Sequence, residues 1–219
     1  SINFEKISPL IGESTVCITG AGGSIGSELC KQIISLKPIK LILIDTNESN
    51  LYLIHQELIN NFGRNTDIHP LMVNVTNKKS MIEIFTIYKV DIVFHAAAYK
   101  HVPLVESNPI QGIYNNVFST HSACEAAIKC KVKSFVLISS DKAVRSKNVM
   151  GATKRLSELL IKAYANKANQ LKIDEMTIFS MVRFGNVLGS SGSVVPLFKK
   201  QISKGGPITI THPDVVRYF

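Results

Sequence analysis

The chain has few of the features that mark a secreted, membrane-spanning or metal-holding protein. Four cysteines (Cys17, Cys30, Cys124, Cys130) occur in 219 residues, and no two form a CxxC pair. Their isolation in apolar segments argues against a disulfide framework and predicts reduced, buried thiols in a cytosolic compartment. The six histidines show no HxxxH or Cys/His ligand spacing, so no metal is expected. No run approaches the roughly 18 consecutive apolar residues of a membrane span. Residues 1–10 carry Glu5 and Lys6 and lack the apolar core of a secretory signal. Repeats, low-complexity tracts and linkers are missing as well. There is no arginine-rich tail and no interleaving of aromatic with basic residues, which argues against nucleic acid as a partner.

What is present is an ordinary globular balance. Apolar residues make up 45% and charged residues 19%, enough for one compact unit with a sizeable core. The 25 Lys and Arg outnumber the 16 Asp and Glu, for a net charge of +9. Such an excess suits an anionic partner: nucleic acid, acidic lipid or a phosphorylated small molecule. It is scattered, and densest at 129–133 and 142–154.

The hydrophobic pattern alternates between strand and helix. Short apolar runs at 16–19, 41–44, 71–73, 92–94, 135–138 and 177–184 read as strands. Between them lie helical patterns. Ile25, Leu29, Ile33 and Leu36 recur at spacings of three and four before Pro38, and Leu51, Ile54, Leu58 and Ile59 do so before Gly63. Further helices are expected at 81–88, 117–129 and 152–168. Strands without polar alternation are covered on both faces, which implies a parallel sheet. The fold class expected is therefore α/β, a doubly wound parallel sheet of Rossmann type. Residues 1–13 are expected as a lead-in and 14–219 as the Rossmann domain, with about 185–219 as the start of a substrate lobe that is only partly present. The polar and apolar run 208–211 reads as the start of a further element, so part of a larger domain is expected to lie beyond Phe219.

Gly20, Gly23 and Gly26 form a GxxGxxG string between the first strand and the first helix. The first glycine permits a tight turn, the second lets backbone approach a pyrophosphate, and the third allows close helix–strand packing. The helix N-terminus, at Ser24 and Ile25, offers N–H groups to phosphates. Asp45 ends the second strand, 25 residues after Gly20. An acid there accepts from ribose hydroxyls and disfavours a 2′-phosphate, so NAD is expected rather than NADP.

The fifth strand ends in Ser139-Ser140-Asp141-Lys142, at the edge where open α/β sheets bind ligands. Met150 and Lys154 follow, one turn apart at a helix start. Short-chain dehydrogenases/reductases carry YxxxK at this spacing, and here Met150 stands at the Tyr position. The segments 139–144 and 148–155, Ala98-Tyr99-Lys100-His101-Val102-Pro103-Leu104, and Arg183-Phe184-Gly185-Asn186 with Gly192-Ser193 resemble one family. It is the polysaccharide-biosynthesis branch of extended short-chain dehydrogenases, the UDP-N-acetylglucosamine 4,6-dehydratases. The resemblance runs from Val16 to Phe219 and is nearest to long, Met-containing members. Those carry an N-terminal membrane region, which is not among these residues.

The resemblance implies a redox-neutral elimination on a UDP-sugar. A hydride passes from C4 to tightly bound NAD⁺, Lys142 removes the C5 proton, Asp141 protonates the departing C6 hydroxyl, and the hydride returns to C6. Met150 cannot take the 4-hydroxyl proton, so Ser140 is expected to bind the 4-oxygen while Asp141 or water carries that proton. Lys154 is expected to hold the nicotinamide ribose. Asn74, Val75, Ala96 and Ala97 join the glycine loop and Asp45 as implied cofactor contacts. Lys100, Asn116, Asn186, Ser193 and Arg217 are the implied substrate contacts, with Arg217 gripping the diphosphate. His95 and His101 are expected to be structural. Three positions depart from the family pattern: Ser140 for Thr, Asn74 for Asp and Ser119 for Gly. The resemblance also suggests a homo-oligomer and retention at C5. A UDP-sugar 4-epimerase shares the fold and cofactor but needs no acid and base for elimination. A non-catalytic NAD-binding sensor or scaffold is the other alternative.

Overall fold

A computed structural model describes residues 4–63, 66–170, 176–187 and 194–210. Among these, six strands form one sheet: β1 (Thr15–Thr19), β2 (Lys40–Asp45), β3 (Ile68–Met72), β4 (Ile92–His95), β5 (Ser134–Ile138) and β6 (Ile178–Val182). Their order is β3-β2-β1-β4-β5-β6, and every pairing is parallel. This is the doubly wound Rossmann order, in which the winding reverses between β1 and β4.

Side-chain alternation along the strands divides the core in two. Val16, Ile18, Leu41 and Leu43 face one side. They pack there on Ile11 of α1 (Phe4–Gly12), on Cys30, Ile33 and Ile34 of α2 (Ser24–Ser35), and on Leu51, Ile54 and Leu58 of α3 (Glu48–Phe62). Cys17, Ile42, Ile44, Val93, Phe135 and Leu137 face the other side. Their partners are Met81, Ile84 and Phe85 of α4 (Lys78–Tyr88), Ala123, Cys124 and Ala127 of α7 (Ser119–Lys129), and Ile161 and Tyr164 of α8 (Val149–Gln170). Each fully buried Leu, Ile or Phe contributes roughly 1.5–3 kcal/mol of transfer free energy, so these two layers dominate stability.

Several expectations need correction. The lead-in forms helix α1, and its Ile11 is only 2% exposed. The expected helix at 117–129 is the end of a longer run. That run comprises α6 (Pro109–Ile113), a π-helical turn (Tyr114–Phe118) and α7. Pro109 and Gly112 read as helix breakers. In the fold Pro109 sits in the first turn, where its missing N–H costs nothing. Gly112 is needed because a Cβ there would lie 2.6 Å from Val105 Cγ1. Val105 belongs to α5 (Val102–Ser107), a short helix that the periodicity misses. Strand β3 lies earlier than 71–73, and β6 ends at Val182. Among the described residues β6 has a neighbouring strand on one side, and its Ile178 is 69% and its Val182 46% exposed. Cys17, Cys30 and Cys124 are buried thiols, whereas Cys130 is half-buried. A last helix, α9 (Val194–Ser203), follows β6, and no helix among the described residues is long and apolar enough to cross a membrane.

Candidate active site

Because the sheet is parallel, β1, β4, β5 and β6 all end at one edge, and their exit loops surround a cavity of about 740 Å³. Gly20–Gly26 form one wall, Ala96 and Ala98–His101 the floor, and Ser139, Ser140 and Lys142 with Phe184–Val187 the opposite wall. The side chains of Lys100, Lys142 and Lys154 reach it, and among the described residues no carboxylate lines it. Such a lining favours an anionic ligand.

The glycine wall is set by backbone. Gly20 has φ +68°, and a Cβ there would stand 2.7 Å from Ala97 N, so only glycine lets β1 pass β4 so closely. Asp45 secures the loop from β2. Its Oδ2 accepts from Gly22 N–H at 2.9 Å, and its Oδ1 accepts from Asn47 N–H at 2.9 Å. Helix α2 begins after Gly23 without any side-chain cap, and its first turn opens onto the cavity. Across the gap, Lys100 Nζ donates to Ser24 Oγ at 3.5 Å, and burial holds the Lys100 ammonium below the ordinary lysine range.

The facing wall carries the ionisable pair. Ser140 caps a short 3₁₀ turn (Asp141–Ala143), accepting from Lys142 N–H and donating through Oγ to Asp141 Oδ1 at 2.9 Å. The same Oδ1 accepts from Lys142 Nζ at 3.0 Å. Burial pulls the Asp141 carboxyl up. The hydrogen bonds from Lys142 and Ser140, with the Lys142 charge, outweigh it and leave the carboxyl below the usual carboxylate range. Lys142 Nζ also reaches Asn186 Oδ1 at 3.4 Å, which brings the β6 loop onto the same pair.

Helix α8 closes the deep end. Asn148 Oδ1 accepts from Gly151 N–H at 2.7 Å, and Glu106 of α5 accepts from Val149 N–H at 2.5 Å, so the helix start is pinned from two sides. Met150, 2% exposed, lines the cavity with its thioether. One turn on, Lys154 donates to Ile138 O at 3.4 Å. Burial lowers the Lys154 ammonium to about 8, and Glu158 opposes that fall. Glu158 has no exposed side-chain surface. Its Oε1 accepts from Ser139 Oγ at 2.7 Å and Arg183 Nε at 2.6 Å. Its Oε2 accepts from Arg183 Nη2 at 2.6 Å and Arg155 Nη1 at 2.9 Å.

Beneath the floor runs a buried hydrogen-bond chain of fixed direction. Thr120 Oγ1 donates to Asn116 O at 2.8 Å, so at 3.2 Å it accepts from His95 Nε2–H. His95 Nδ1 then accepts from Thr19 Oγ1 at 2.7 Å, and Thr19 Oγ1 accepts from Ala97 N–H. Burial, with the Lys154 charge second, drives His95 to about 3, so it stays neutral. Asn116, in the π turn, clasps the floor. Its Oδ1 accepts from Tyr99 N–H at 2.7 Å, and its Nδ2 donates to Tyr99 O at 3.1 Å and Thr153 Oγ1 at 2.9 Å. Asn116→Ala removes both partners of the Tyr99 backbone and is expected to lower stability by about 2–4 kcal/mol in urea denaturation. An unchanged urea midpoint would show that water replaces both bonds.

Of the residues singled out from the sequence, Gly20, Gly23, Ser24, Ile25, Gly26, Ala96, Lys100, Ser140, Lys142, Met150, Lys154 and Asn186 line this one cavity. Asp45, Ala97, Asp141 and Asn116 stand behind its lining, holding residues that do. Asn74 and Val75 do not reach it. Asn74 Oδ1 accepts from Thr76 N–H at 3.0 Å, and Val75 is packed in the core. Ser193 and Arg217 lie outside the described residues. His95 is structural as expected, but His101 is exposed at the cavity rim. The sequence reading missed Glu158, Arg183 and Arg155. The available signal was an acid one turn beyond Lys154.

A family model described as "polysaccharide biosynthesis protein" matches residues 16–219. The capsular polysaccharide biosynthesis protein CapD of Staphylococcus aureus is 48% identical over 100% of this chain, which spans 35% of CapD. The chain thus covers about a third of that relative. A UDP-glucose 4-epimerase of Rickettsia canadensis is 38% identical over 94% of the chain and 59% of its own length. Among solved structures, Pen from Bacillus thuringiensis superposes with a TM-score of 0.84 at 35% identity, covering 92% of this chain and 61% of Pen. A match over nearly the whole length, carried on the same fold, means that the chain belongs to the polysaccharide biosynthesis protein family, within the extended short-chain dehydrogenases/reductases.

Proposed function

We propose that the chain is the NAD-binding part of a UDP-N-acetylglucosamine 4,6-dehydratase, acting in the cytoplasm to make a 4-keto-6-deoxy sugar nucleotide for surface polysaccharide. The observation that carries the reading is a single cavity with an uncapped helix N-terminus on one wall and Ser140 and Lys142 at the other, both hydrogen-bonded to Asp141 just behind them. The glycine wall fits NAD. The open first turn of α2 suits a diphosphate, and Asp45 at the end of β2 suits a ribose. Lys154, buried beside the Ile138 carbonyl, would hold the nicotinamide ribose. NAD, when bound, supplies an acceptor for the C4 hydride that is given back at C6.

The side chains then have a closed proton cycle. The 4-hydroxyl proton passes to Ser140 Oγ, whose own proton moves to Asp141 Oδ1, 2.9 Å away. That relay needs no tyrosine, so Met150 is left to pack against the sugar. Lys142 Nζ, acting as the amine, takes the C5 proton. Asp141 delivers the proton it received to the departing C6 hydroxyl, and water leaves. Lys142 finally returns a proton to C5. Asp141 ends as a carboxylate and Lys142 as a free amine, so the next turnover starts from the same state. Lys100, His101 and Asn186 at the cavity are proposed to meet the sugar nucleotide, and Arg217 and Ser193 to join them.

The test uses the full-length protein with UDP-N-acetylglucosamine in D₂O without added NAD, followed by proton NMR. A 4-keto-6-deoxy product with deuterium at C5 is expected. An unchanged sugar with folded, NAD-containing protein would overturn the reading. The Rickettsia relative gives weight to 4-epimerisation as a second reading; a C4 epimer without C5 deuterium would establish that one instead.

A further inference from the structure

We infer that Glu158 is a positioning residue, whose carboxylate ties the β5 loop that carries Asp141 and Lys142 to the β6 loop that carries Asn186, and counterbalances the buried ammonium of Lys154. No acid lining the cavity does this, because Glu158 lies behind the wall with no exposed side-chain surface. Its two oxygens take four hydrogen bonds from three directions. Ser139, on the β5 exit, immediately precedes Ser140, Asp141 and Lys142. Arg183, on the β6 exit, immediately precedes Phe184, Gly185 and Asn186, and holds both carboxylate oxygens in a fork. Arg155 closes the set from α8 itself. The Lys142–Asn186 contact joins the same two loops on the cavity side. Glu158 joins them on the far side, so the loops are tied front and back.

The second half of the inference is electrostatic. Glu158 stands four residues after Lys154, one turn along α8. Around Lys154, Lys142 shares the cavity, His95 below is neutral, and Arg155 and Arg183 are both engaged on Glu158. Glu158 is the anion that offsets this cationic surround. The hydrogen bonds from Arg183, Ser139 and Arg155 override the effect of burial and hold its own carboxyl at about 2, so it stays charged throughout the working range. Replacing the carboxylate leaves the Arg155 and Arg183 guanidinium groups without the anion they share.

The consequence for turnover rests on the dehydratase reading; the consequence for Lys154 does not. The experiment therefore has two readouts on the full-length protein. In lysine-selective ¹⁵N NMR, Glu158→Gln is expected to lower the Lys154 midpoint from about 8 by at least one pH unit. In turnover of UDP-N-acetylglucosamine, kcat is expected to fall at least tenfold with KM within threefold. Ser139→Ala, which removes only the β5 tether, is expected to cut kcat about fivefold and leave the Lys154 midpoint in place. This second variant carries the tether half of the test if Glu158→Gln does not fold. A Lys154 midpoint unmoved by Glu158→Gln overturns the electrostatic half, and kcat within twofold of wild type in both variants overturns the tether. A wild-type protein that leaves the sugar unchanged defeats the dehydratase reading alone, since the NMR titration still reports on Glu158.

Discussion

With UDP-N-acetylglucosamine as the proposed substrate, Lys142→Met is expected to lower dehydration about 10³-fold, within the range for loss of a positioned general base. Methionine keeps the length and apolar stem of lysine and removes its nitrogen. The folded chain and its NAD should survive, because Lys142 is partly exposed and its ion pair with Asp141 is a surface contact of small stability value. The informative readout is deuterium entry at C5 in D₂O, measured beside NAD content after denaturation. Lys142→Met should abolish both exchange and product. Asp141→Asn should slow both, since Asn neither takes the 4-hydroxyl proton through Ser140 nor protonates the leaving hydroxyl. Exchange at the wild-type rate in Lys142→Met would show that another group takes the C5 proton.

Gly26→Ala is expected to unseat the cofactor wall. An added Cβ would lie 1.9 Å from Gly20 O and 2.7 Å from Gly20 C, with Ala21 Cα at 3.0 Å. All three are backbone atoms of the loop itself, so no side chain can swing aside. Overpacking usually costs about 1–3 kcal/mol, and a clash that only backbone movement can relieve belongs at or above the upper end. NAD bound to the purified protein should fall at least tenfold, with a lower urea midpoint. Gly12→Ala is the matched control. Its Cβ would meet nothing nearer than 3.7 Å, so its stability should stay within about 0.5 kcal/mol of wild type. Equal NAD content in Gly26→Ala would show that the loop does not hold the cofactor.

The residues legible in the sequence are those whose chemistry is local. Gly20, Gly23 and Gly26 fall within one turn and helix start, and Ser139 to Lys142 are contiguous after an apolar run, so spacing alone marks them. Glu158 was hidden for the opposite reason. Its partners Ser139 and Arg183 lie 19 and 25 residues away, and its run with Lys154 and Arg155 looks like the solvated face of a helix. Only the fold shows that this face is turned inward. Asn74 illustrates a third case. Its place after β3 suggests the adenine, and its Oδ1 also closes a local turn onto Thr76, a contact that spacing alone does not reveal. Strand β6 is recognisable as apolar, but the exposure of Ile178 among the described residues follows from its place beyond β5, a property of topology and not of composition.

The π-helical turn at Tyr114–Phe118 lies between α6 and α7. Its wider loop of backbone holds one residue more than an α-helical turn needs. Removing one residue would let the segment from Pro109 to Lys129 close up as a regular helix, with its backbone ladder intact. The two halves would keep nearly the same facing, because the wide turn spends its extra residue on a rotation that about four α-helical residues already complete. Ala123, Cys124 and Ala127 would still face the sheet, but Asn116, which sits inside the wide turn, would lose its place under Tyr99. The local irregularity lets one residue leave the helical ladder to grip the floor while the rest of the helix packs on the core.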